Sequence, residues 1–173
     1  MNELYGNCPV FETQHFVLRL VSEADAEDLL VCYSDPKAQE FFNIDNFSHI
    51  CNFYTVEAMA ECIGFWLTAY AQGAFVRFSI VDKSNQKAVG TIEMFGGDVG
   101  ILRVDLASAY ESRVNFQELL DVCLENFYDL FQVRAIATKA IPLAVGRIDV
   151  LLEAGFCAGG FKGREHYYLR ERR

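Results

Sequence analysis

A long amphipathic helix is the feature of this sequence that most constrains its fold. Residues 114–131 place carboxylates on one face and apolar side chains at helical spacing on the other, so one face is buried. The apolar face comprises Phe116, Leu119, Leu120, Cys123, Phe127, Leu130 and Phe131. Three predicted strands precede the helix, at residues 76–81, 88–95 and 101–106, and the first alternates apolar and polar side chains. The turn residues between them predict an antiparallel meander that leads into the helix.

The rest of the chain adds strands and helices on both sides of this unit. Ser22 and Asp25 resemble a capping box at the start of the first helix, and Gly73 and Gly155 end two later ones. The further elements are a strand at 16–21, helices at 24–33 and 56–71, a strand at 133–141, a helix at 142–154 that Pro142 opens, and strands at 156–158 and 165–169. The order β-α-α-β-β-β-α-β-α-β-β predicts a mixed sheet in a single α/β domain spanning residues 1–173.

Length and composition exclude several classes of protein. A chain of 173 residues, 52% of them apolar or aromatic, buries enough surface to fold as one domain without disulfides or a metal. Its longest apolar stretch, around residues 63–71, is far shorter than the roughly 20 residues of a membrane span. A net charge of −9 argues against non-specific binding to nucleic acid. The first residues do not resemble a secretory signal, so we expect a cytoplasmic protein.

The cysteines and histidines predict no metal site. The six cysteines lack the close spacing of zinc ligands, and we expect reduced, mostly buried thiols. His15, His49 and His166 lie far apart in the sequence and suggest no shared site.

Charge is distributed unevenly along the chain. Residues 1–132 carry an excess of acidic side chains, whereas residues 133–173 carry an excess of basic ones and end in three arginines within four positions. The basic region is either a solvated tail or a local positive patch for an anionic ligand.

Four stretches, in order along the chain, carry a resemblance to a known family. They are residues 16–20 with the acidic helix that follows, 89–92 (VGTI), 127–138 and 151–156 (LLEAGF). In this order and spacing they are similar to the Gcn5-related N-acetyltransferases (GNAT), in particular to the branch that acetylates the N-termini of ribosomal proteins. The resemblance spans nearly the whole chain.

The resemblance implies the GNAT acyl-CoA N-acyltransferase fold and a cleft for acetyl-CoA as cosubstrate. In that family a loop with glycines follows the third meander strand, and the free amides of the next helix hold the pyrophosphate. The backbone of Val104 and Leu106 would then face the pantetheine arm. Ala144 and Arg147 match positions that contact the cofactor in relatives, where an Asn and a Ser are usual.

The matching loop, residues 110–115, is a degenerate version of the family pattern because both glycines are missing. Glu111 and Arg113 stand in their places, and the predicted phosphate contacts are Ser112, Arg113, Val114 and Asn115. A carboxylate at Glu111 disfavours a phosphate nearby. Arg113 either compensates by donating to the phosphate or closes the site by pairing with Glu111.

Acetyl transfer to an amine requires a group that takes the amine proton and a group that protonates or stabilises the departing thiolate. In this fold the base is commonly a carboxylate on the middle meander strands, a place that Glu93 fits. Alternatively, Glu93 is an exposed strand residue or a partner of Arg77 or Arg103. Tyr128 on the long helix is the candidate acid, or a core aromatic residue. Asp105 is a candidate for orienting the substrate amine.

Residues 37–55 form an irregular and unusually aromatic segment. Its position corresponds to the part of the family fold that covers the acceptor pocket. Phe41, Phe42, Phe53 and Tyr54 therefore either line an acceptor site, together with Asp105, or cap the core of the sheet.

The sequence leaves two functions open. The first is an N-acetyltransferase that moves acetyl from acetyl-CoA to a primary amine, of a small molecule or a protein N-terminus, by direct attack in a ternary complex. The second, which the missing glycines favour, is a GNAT-fold protein that binds a ligand or a partner without catalysis. In both cases we expect a monomer or homodimer that binds neither nucleic acid nor membrane.

Overall fold

The computed structural model describes residues 3–45, 54–159 and 161–172. Its strands are β1 (Phe11–Glu12), β2 (Phe16–Leu20), β3 (Val76–Asp82), β4 (Ala88–Gly96), β5 (Val99–Leu106), β6 (Ala135–Lys139), β7 (Cys157–Ala158) and β8 (Tyr167–Glu171). Its α-helices are α1 (Ala26–Tyr33), α2 (Pro36–Gln39), α3 (Val56–Ala71), α4 (Arg113–Leu130) and α5 (Val145–Glu153).

The eight strands of the described residues form one mixed sheet in the order β1-β2-β3-β4-β5-β6-β8-β7. Strands β3, β4 and β5 are the predicted antiparallel meander. Its register places Arg77, Glu93 and Arg103 side by side across the three strands. Strand β6 returns parallel to β5, because α4 forms the crossover between them. The α/β mixed sheet expected from the sequence is confirmed.

A helical layer covers each face of the sheet. The larger core joins the apolar side chains of β2 to β5 to α4 and α5, with Phe78 stacked on Phe127 at 5.5 Å between ring centroids. The smaller core lies on the opposite face, where α1 and α3 contribute Leu29, Cys32 and Trp66. Because side chains alternate along a strand, Arg77, Glu93 and Asp105 point toward the α1 and α3 layer.

The sheet opens between β5 and β6. These two strands pair from Val99 with Ala135 to Leu102 with Thr138, and β6 then ends one residue later. Strand β5 continues to Leu106, so residues 103–106 lie beyond the pairing register with β6. We call this segment the open edge of β5. It lies beside the beginnings of α4 and α5, which contact each other where Gly146 meets the backbone of Arg113.

Helix boundaries follow the predicted caps in two cases. Ser22 and Asp25 form a complete capping box, and the helix it begins is a 3₁₀ turn that continues into α1. The side chain of Thr55 accepts a hydrogen bond from the amide of Ala58 at the start of α3, and Gly73 follows the helix with φ of +74°. Helix α3 has the predicted bounds.

The predicted start of the last helix is wrong. Pro142 and Leu143 belong to a turn in which the amide of Ala144 donates to the carbonyl of Ile141, and α5 begins only at Val145. The last strand also lies two residues later than predicted, at Tyr167–Glu171. His166 has φ of +62°, a left-handed conformation that a strand cannot continue through.

Two short elements were not predicted. Strand β1 pairs with β2, with Phe11 opposite Leu18. Helix α2 forms where the sequence predicted an irregular segment, because Asp35 caps it and Pro36 occupies its first position. Within the described residues, no helix combines the length and apolarity that crossing a membrane requires.

Candidate functional site

Arg147 lies between the open edge of β5 and the loop before α4, and we call the region bounded by these two segments and the beginning of α5 the cleft. Arg147 comes from the first turn of α5, and its side chain is only 5% exposed. Nη1 donates to the carbonyl oxygen of Val104 at 2.8 Å. Nε and Nη2 donate to Oε1 and Oε2 of Glu111 at 2.7 and 2.6 Å. The guanidinium group therefore links α5 to the open edge through one hydrogen bond. It links α5 to the loop before α4 through a bidentate ion pair.

Aromatic rings border this ion pair. The guanidinium carbon of Arg147 lies 4.9 Å from the ring centroid of Phe116 and 5.8 Å from that of Phe41. Rings at these distances contribute cation–π attraction and limit the access of water to the charge. Among the described residues of the aromatic segment, Phe41 borders this ion pair.

The loop before α4 is held by its own polar side chains. Ser112 caps the helix by accepting a hydrogen bond from the amide of Asn115 at 3.1 Å. Nδ2 of Asn115 donates to the carbonyl oxygen of Tyr110 at 2.9 Å. Val114 is 69% exposed, and Ala144 is buried at the start of α5.

Arg113 does not pair with Glu111, which was one of the two roles considered from sequence. Its guanidinium pairs with Glu153 at the end of α5, on the surface, and both side chains are at least half exposed. The partner of Glu111 is Arg147, which lies 36 positions further along the chain. Of the two alternatives left open by the sequence, the pairing of Arg113 with Glu111 is not formed, and the Glu111 carboxylate is neutralised by a different arginine.

The cleft was expected to hold a CoA thioester, and in this structure two of the groups expected near it are engaged with Arg147. The carbonyl of Val104, expected to face a pantetheine arm, already accepts a hydrogen bond from Arg147. The Glu111 carboxylate lies in the loop where a pyrophosphate was expected.

A second group of charged side chains lies on the opposite face of the sheet. The guanidinium group of Arg77 pairs with the carboxylate of Glu93, and Arg103 binds Asp105 through Nε at 2.9 Å and Nη2 at 2.7 Å. All four side chains are buried, and their formal charges balance. The indole of Trp66 covers Arg77, with 4.0 Å from the ring centroid to the guanidinium carbon.

Neutral hydroxyls complete this network. Nη1 of Arg77 donates to Tyr33 and to Thr91, both at 2.9 Å. The hydroxyl of Tyr33 donates to Oδ2 of Asp105 at 2.8 Å. Burial raises the pKa of Tyr33 well above its ordinary value, and the nearby charge of Asp105 raises it further. Tyr33 therefore stays protonated and serves as a donor.

Arg77 stays charged although it has no access to water. Burial acts to lower the pKa of Arg77, but the charges of Glu93 and Asp105 outweigh it, and the pKa is raised. One polar atom of this side chain, Nε, lacks a hydrogen-bond partner among the described residues.

The structure brings some of the predicted site residues together and separates others. Glu93 and Asp105 belong to one network, and Glu93 has Arg77 as its partner, one of the two alternatives given by the sequence. Tyr128 lies in the larger core, on the other face of the sheet. Its hydroxyl donates to the carbonyl oxygen of Arg170 at 3.1 Å and accepts from Nη1 of the same residue at 3.0 Å. Tyr128 and Glu93 thus do not share a site.

The other aromatic candidates are dispersed. Phe42 packs against Tyr33 with 5.2 Å between ring centroids, so it caps the smaller core. Tyr54 is 82% exposed. Phe53 lies outside the described residues. The main chain of Leu106 is part of the open edge, whereas its side chain is buried in the larger core.

Sequence reasoning missed Tyr33, Thr91 and Trp66 as members of the buried network. Thr91 could have been found, because it lies two positions from Glu93 on one strand and so shares its face. The contribution of Tyr33 and Trp66 depends on how α1 and α3 pack, for which the sequence has no local signal. Within the described residues, no cluster of three or more His, Cys, Asp or Glu side chains could hold a metal ion.

Comparisons with known proteins identify the fold of this chain. No protein-family model matches the chain. A curated relative, the uncharacterized N-acetyltransferase YoaA of Bacillus subtilis (strain 168), is 23% identical over 84 residues, which are 49% of this chain and 44% of that protein. The matched part of this chain thus spans less than half the length of that relative.

Two solved structures are similar over nearly the whole chain. RimJ of Mycobacterium smegmatis, in complex with CoA-disulfide, has a TM-score of 0.75 at 15% identity, covering 94% of this chain and 86% of RimJ. The ribosomal-protein-S5-alanine acetyltransferase of Vibrio fischeri has a TM-score of 0.74 at 16% identity, with coverages of 95% and 97%. The chain therefore has the fold of GNAT acetyltransferases, and the resemblance seen in the sequence is confirmed at the level of fold.

Proposed function

We propose that this chain is an N-acetyltransferase of the GNAT type, which takes acetyl from acetyl-CoA and transfers it to a primary amine. The opening of the sheet beside residues 103–106 carries this proposal, because it leaves a strand edge next to the beginnings of two helices. A strand edge and helix N-termini supply the amides that an extended, phosphate-bearing ligand needs. The similarity to RimJ, whose structure contains CoA-disulfide, supports the same assignment.

In this proposal the open edge and the loop before α4 bind the cosubstrate. Val104 and Leu106 contribute backbone groups, and Ser112, Val114 and Asn115 contribute the first turn of α4. Acetyl-CoA supplies the acetyl group as a thioester. Arg113 and Ala144 lie at the beginnings of α4 and α5, at the rim of the same cleft.

Glu93 is the proposed base, and Asp105 the proposed group that orients the amine. Glu93 lies on β4 opposite Arg103, the first residue of the open edge, so it is one strand away from the cleft. Its carboxylate must exchange the Arg77 guanidinium for the substrate amine before it can take a proton. The acceptor is a primary amine, of a small molecule or a protein N-terminus, whose nitrogen attacks the thioester carbonyl directly in a ternary complex, and the CoA thiolate leaves.

The Glu111–Arg147 pair favours a second candidate function. Because this pair occupies the groups that a CoA thioester would use, the chain is alternatively a GNAT-fold module that binds a ligand or partner without acetyl transfer. The two candidates differ in whether the purified protein binds acetyl-CoA.

Calorimetric titration with acetyl-CoA and with CoA separates these functions without knowledge of the acceptor. A micromolar Kd, about −8 kcal/mol, supports the acetyltransferase. Absence of heat and of a rise in Tm at millimolar ligand contradicts it.

A panel of amines then tests turnover by release of the CoA thiol. We expect Glu93→Gln to lower kcat by a factor of about 100 or more if Glu93 is the base. Glu171→Gln is the matched control, because Glu171 makes only a surface ion pair with Arg134. Equal kcat values for Glu93→Gln and the wild type would exclude Glu93 as the base.

A further inference from the structure

We propose that Arg147 is an anion-binding group of the cleft and that Glu111 is a tethered competitor for it. A phosphate or diphosphate group of a ligand binds by taking the place of the Glu111 carboxylate. Because the cleft is taken as a cosubstrate site, this inference rests on the proposed function and deepens it.

The geometry of the ion pair identifies the edge of Arg147 that an anion would use. Nη1 is committed to the carbonyl of Val104, which fixes the guanidinium plane against β5. Nε and Nη2 form the opposite edge, and both donate to Glu111. This two-donor edge matches the spacing of two oxygens on a carboxylate or a phosphate.

Because Arg147 is buried, replacement of the Glu111 carboxylate by another anion is more favourable than breaking the ion pair and leaving Arg147 unpaired. Arg147 is 5% exposed and bordered by Phe41 and Phe116, so its charge cannot be solvated where it lies. Removal of Glu111 alone would leave an uncompensated buried cation, which is strongly unfavourable. A ligand that brings its own negative charge avoids this penalty, whereas a neutral ligand does not.

Glu111 is the member of the pair that can leave. Its side chain is 15% exposed, more than that of Arg147, and it lies in the short loop between a 3₁₀ turn and α4. Rotation of its side chain away from the cleft needs no change in the sheet. Arg147, in contrast, is anchored by α5 and by Val104.

The test compares anion binding by the wild type, Glu111→Gln and Arg147→Gln. Calorimetry with inorganic pyrophosphate, CoA and pantetheine separates the phosphate groups from the neutral arm. We expect Glu111→Gln to bind pyrophosphate and CoA at least tenfold more tightly than the wild type, with no gain for pantetheine. Arg147→Gln should lose pyrophosphate binding, and the double variant should not recover it.

Two further variants keep the comparison interpretable. Glu171→Gln, the same chemical change at a surface Arg–Glu pair, should bind pyrophosphate like the wild type. Should Glu111→Gln not fold, Glu111→Asp retains the charge but shortens its reach to Arg147, and an intermediate gain in affinity is expected. The Tm of each variant reports whether it is folded.

The possible results distinguish this proposal from the proposed function. If the wild type binds CoA and Glu111→Gln binds it no more tightly, the competitor role is overturned and the acetyltransferase stands. If the wild type does not bind CoA but Glu111→Gln gains pyrophosphate binding, the competitor role is upheld and the acetyltransferase fails. If no variant binds pyrophosphate, the anion-binding role of Arg147 is overturned.

Discussion

Arg77 shows how a single charged residue is retained at the centre of this sheet. It lies between β4 and the indole of Trp66, with Glu93 and Tyr33 as hydrogen-bond partners. Such a group adds little stability over an apolar residue of the same shape, but the loss of one partner leaves the other charge buried and unpaired. Arg77 therefore contributes to stability mainly because it neutralises the buried carboxylate of Glu93.

Substitution of Arg77 by Met should destabilise the protein strongly. We expect a loss of about 3–5 kcal/mol in the free energy of unfolding, because Glu93 would be left without its buried cation. Urea denaturation monitored by fluorescence measures this loss. Arg172→Met removes an exposed cation that pairs with Asp129, and should change stability by less than about 1 kcal/mol. A loss at Arg77 as small as that at Arg172 would contradict the role assigned to the network.

Asp25 makes stability depend on pH. Burial acts to raise the pKa of Asp25, but hydrogen bonds from Arg19, Ser79 and the amide of Ser22 outweigh it, and the pKa is lowered. A carboxyl with a lowered pKa in the folded state stabilises the protein fully above the ordinary Asp value of about 3.9. That contribution is lost as the pH falls further, through the folded value.

The variant Asp25→Asn should therefore be less stable than the wild type at pH 7, by about 2 kcal/mol. The difference should shrink as the pH falls below about 4, since the wild-type carboxyl is then protonated too. Free energies of unfolding measured between pH 7 and pH 2 for both proteins check this. A difference that stays constant over this range would show that Asp25 acts only as a neutral hydrogen-bond acceptor.

For single residues, the sequence predicted the kind of contact that a side chain makes better than it predicted which residue it contacts. It placed Glu93 near Arg77 or Arg103 because strand alternation is local information. It could not pair Glu111 with Arg147, because that contact depends on the angle at which α5 meets the loop before α4. The same holds for Tyr128 on α4, whose partner Arg170 lies on β8.

Among the elements, β4 and β5 approach each other closely at Gly90. A Cβ atom added there would lie 2.1 Å from the carbonyl oxygen of Asp105 and 3.0 Å from Cα of Leu106. Glycine is therefore required at this position of β4. Because it has no side chain, β4 can pack closely against residues 105 and 106 of the open edge of β5. The VGTI stretch that resembles the GNAT family contains this glycine.

Substitution of Gly90 by Ala should force β5 to shift at the open edge. We expect a loss of stability of about 1–3 kcal/mol, with weaker CoA binding in the same variant. Gly97→Ala is the control, because no atom lies within 4 Å of an added Cβ in the turn between β4 and β5. Thermal denaturation and calorimetry measure the two effects, and equal behaviour of both variants would contradict the close approach.

The bounds of helices and strands were predictable where the hydrophobic periodicity and the capping or turn residues indicate the same positions. Helix α3 and the meander have the expected bounds to within about two residues, since both signals lie within their own sequences. Helix α5 starts later than predicted because proline is compatible with a turn as well as with a first helical position. The opening between β5 and β6 results from strand pairing over a long sequence separation, and no local pattern encodes it.

For the molecule as a whole, the fold brings basic side chains of residues 133–173 into contact with the acidic part of the chain. Four cations of residues 133–173 pair with carboxylates from residues 1–132: Arg134 with Asp98, Lys139 with Asp45, Arg147 with Glu111, and Arg172 with Asp129. The C-terminal strands are thus attached to the acidic part of the chain by ion pairs as well as by the sheet. These pairs act against the interpretation of this region as a free basic tail.

The two cores share one sheet, so we expect them to unfold together. Cys32 lies in the smaller core and Cys123 in the larger one, and burial raises the pKa of both thiols. Both should be protected from alkylation in the native protein, and both should become reactive over the same range of urea concentration. Cys157 is exposed and should react without urea.

Mass spectrometry of alkylated peptides measures each of these cysteines separately. Reaction of Cys32 at a lower urea concentration than Cys123 would show that the α1 and α3 layer opens before the sheet does. Coincident curves would support a single cooperative unit.

The Glu111–Arg147 pair also constrains the order in which mutations can accumulate over generations. A change from Glu111 to glycine leaves a buried guanidinium uncompensated, whereas loss of Arg147 leaves a carboxylate that is already in contact with water. The first of these single mutants is the more damaged one. A lineage that acquires glycine at position 111 from this sequence would therefore be expected to lose Arg147 first, so the effect of a change at one position depends on which residue is already present at the other.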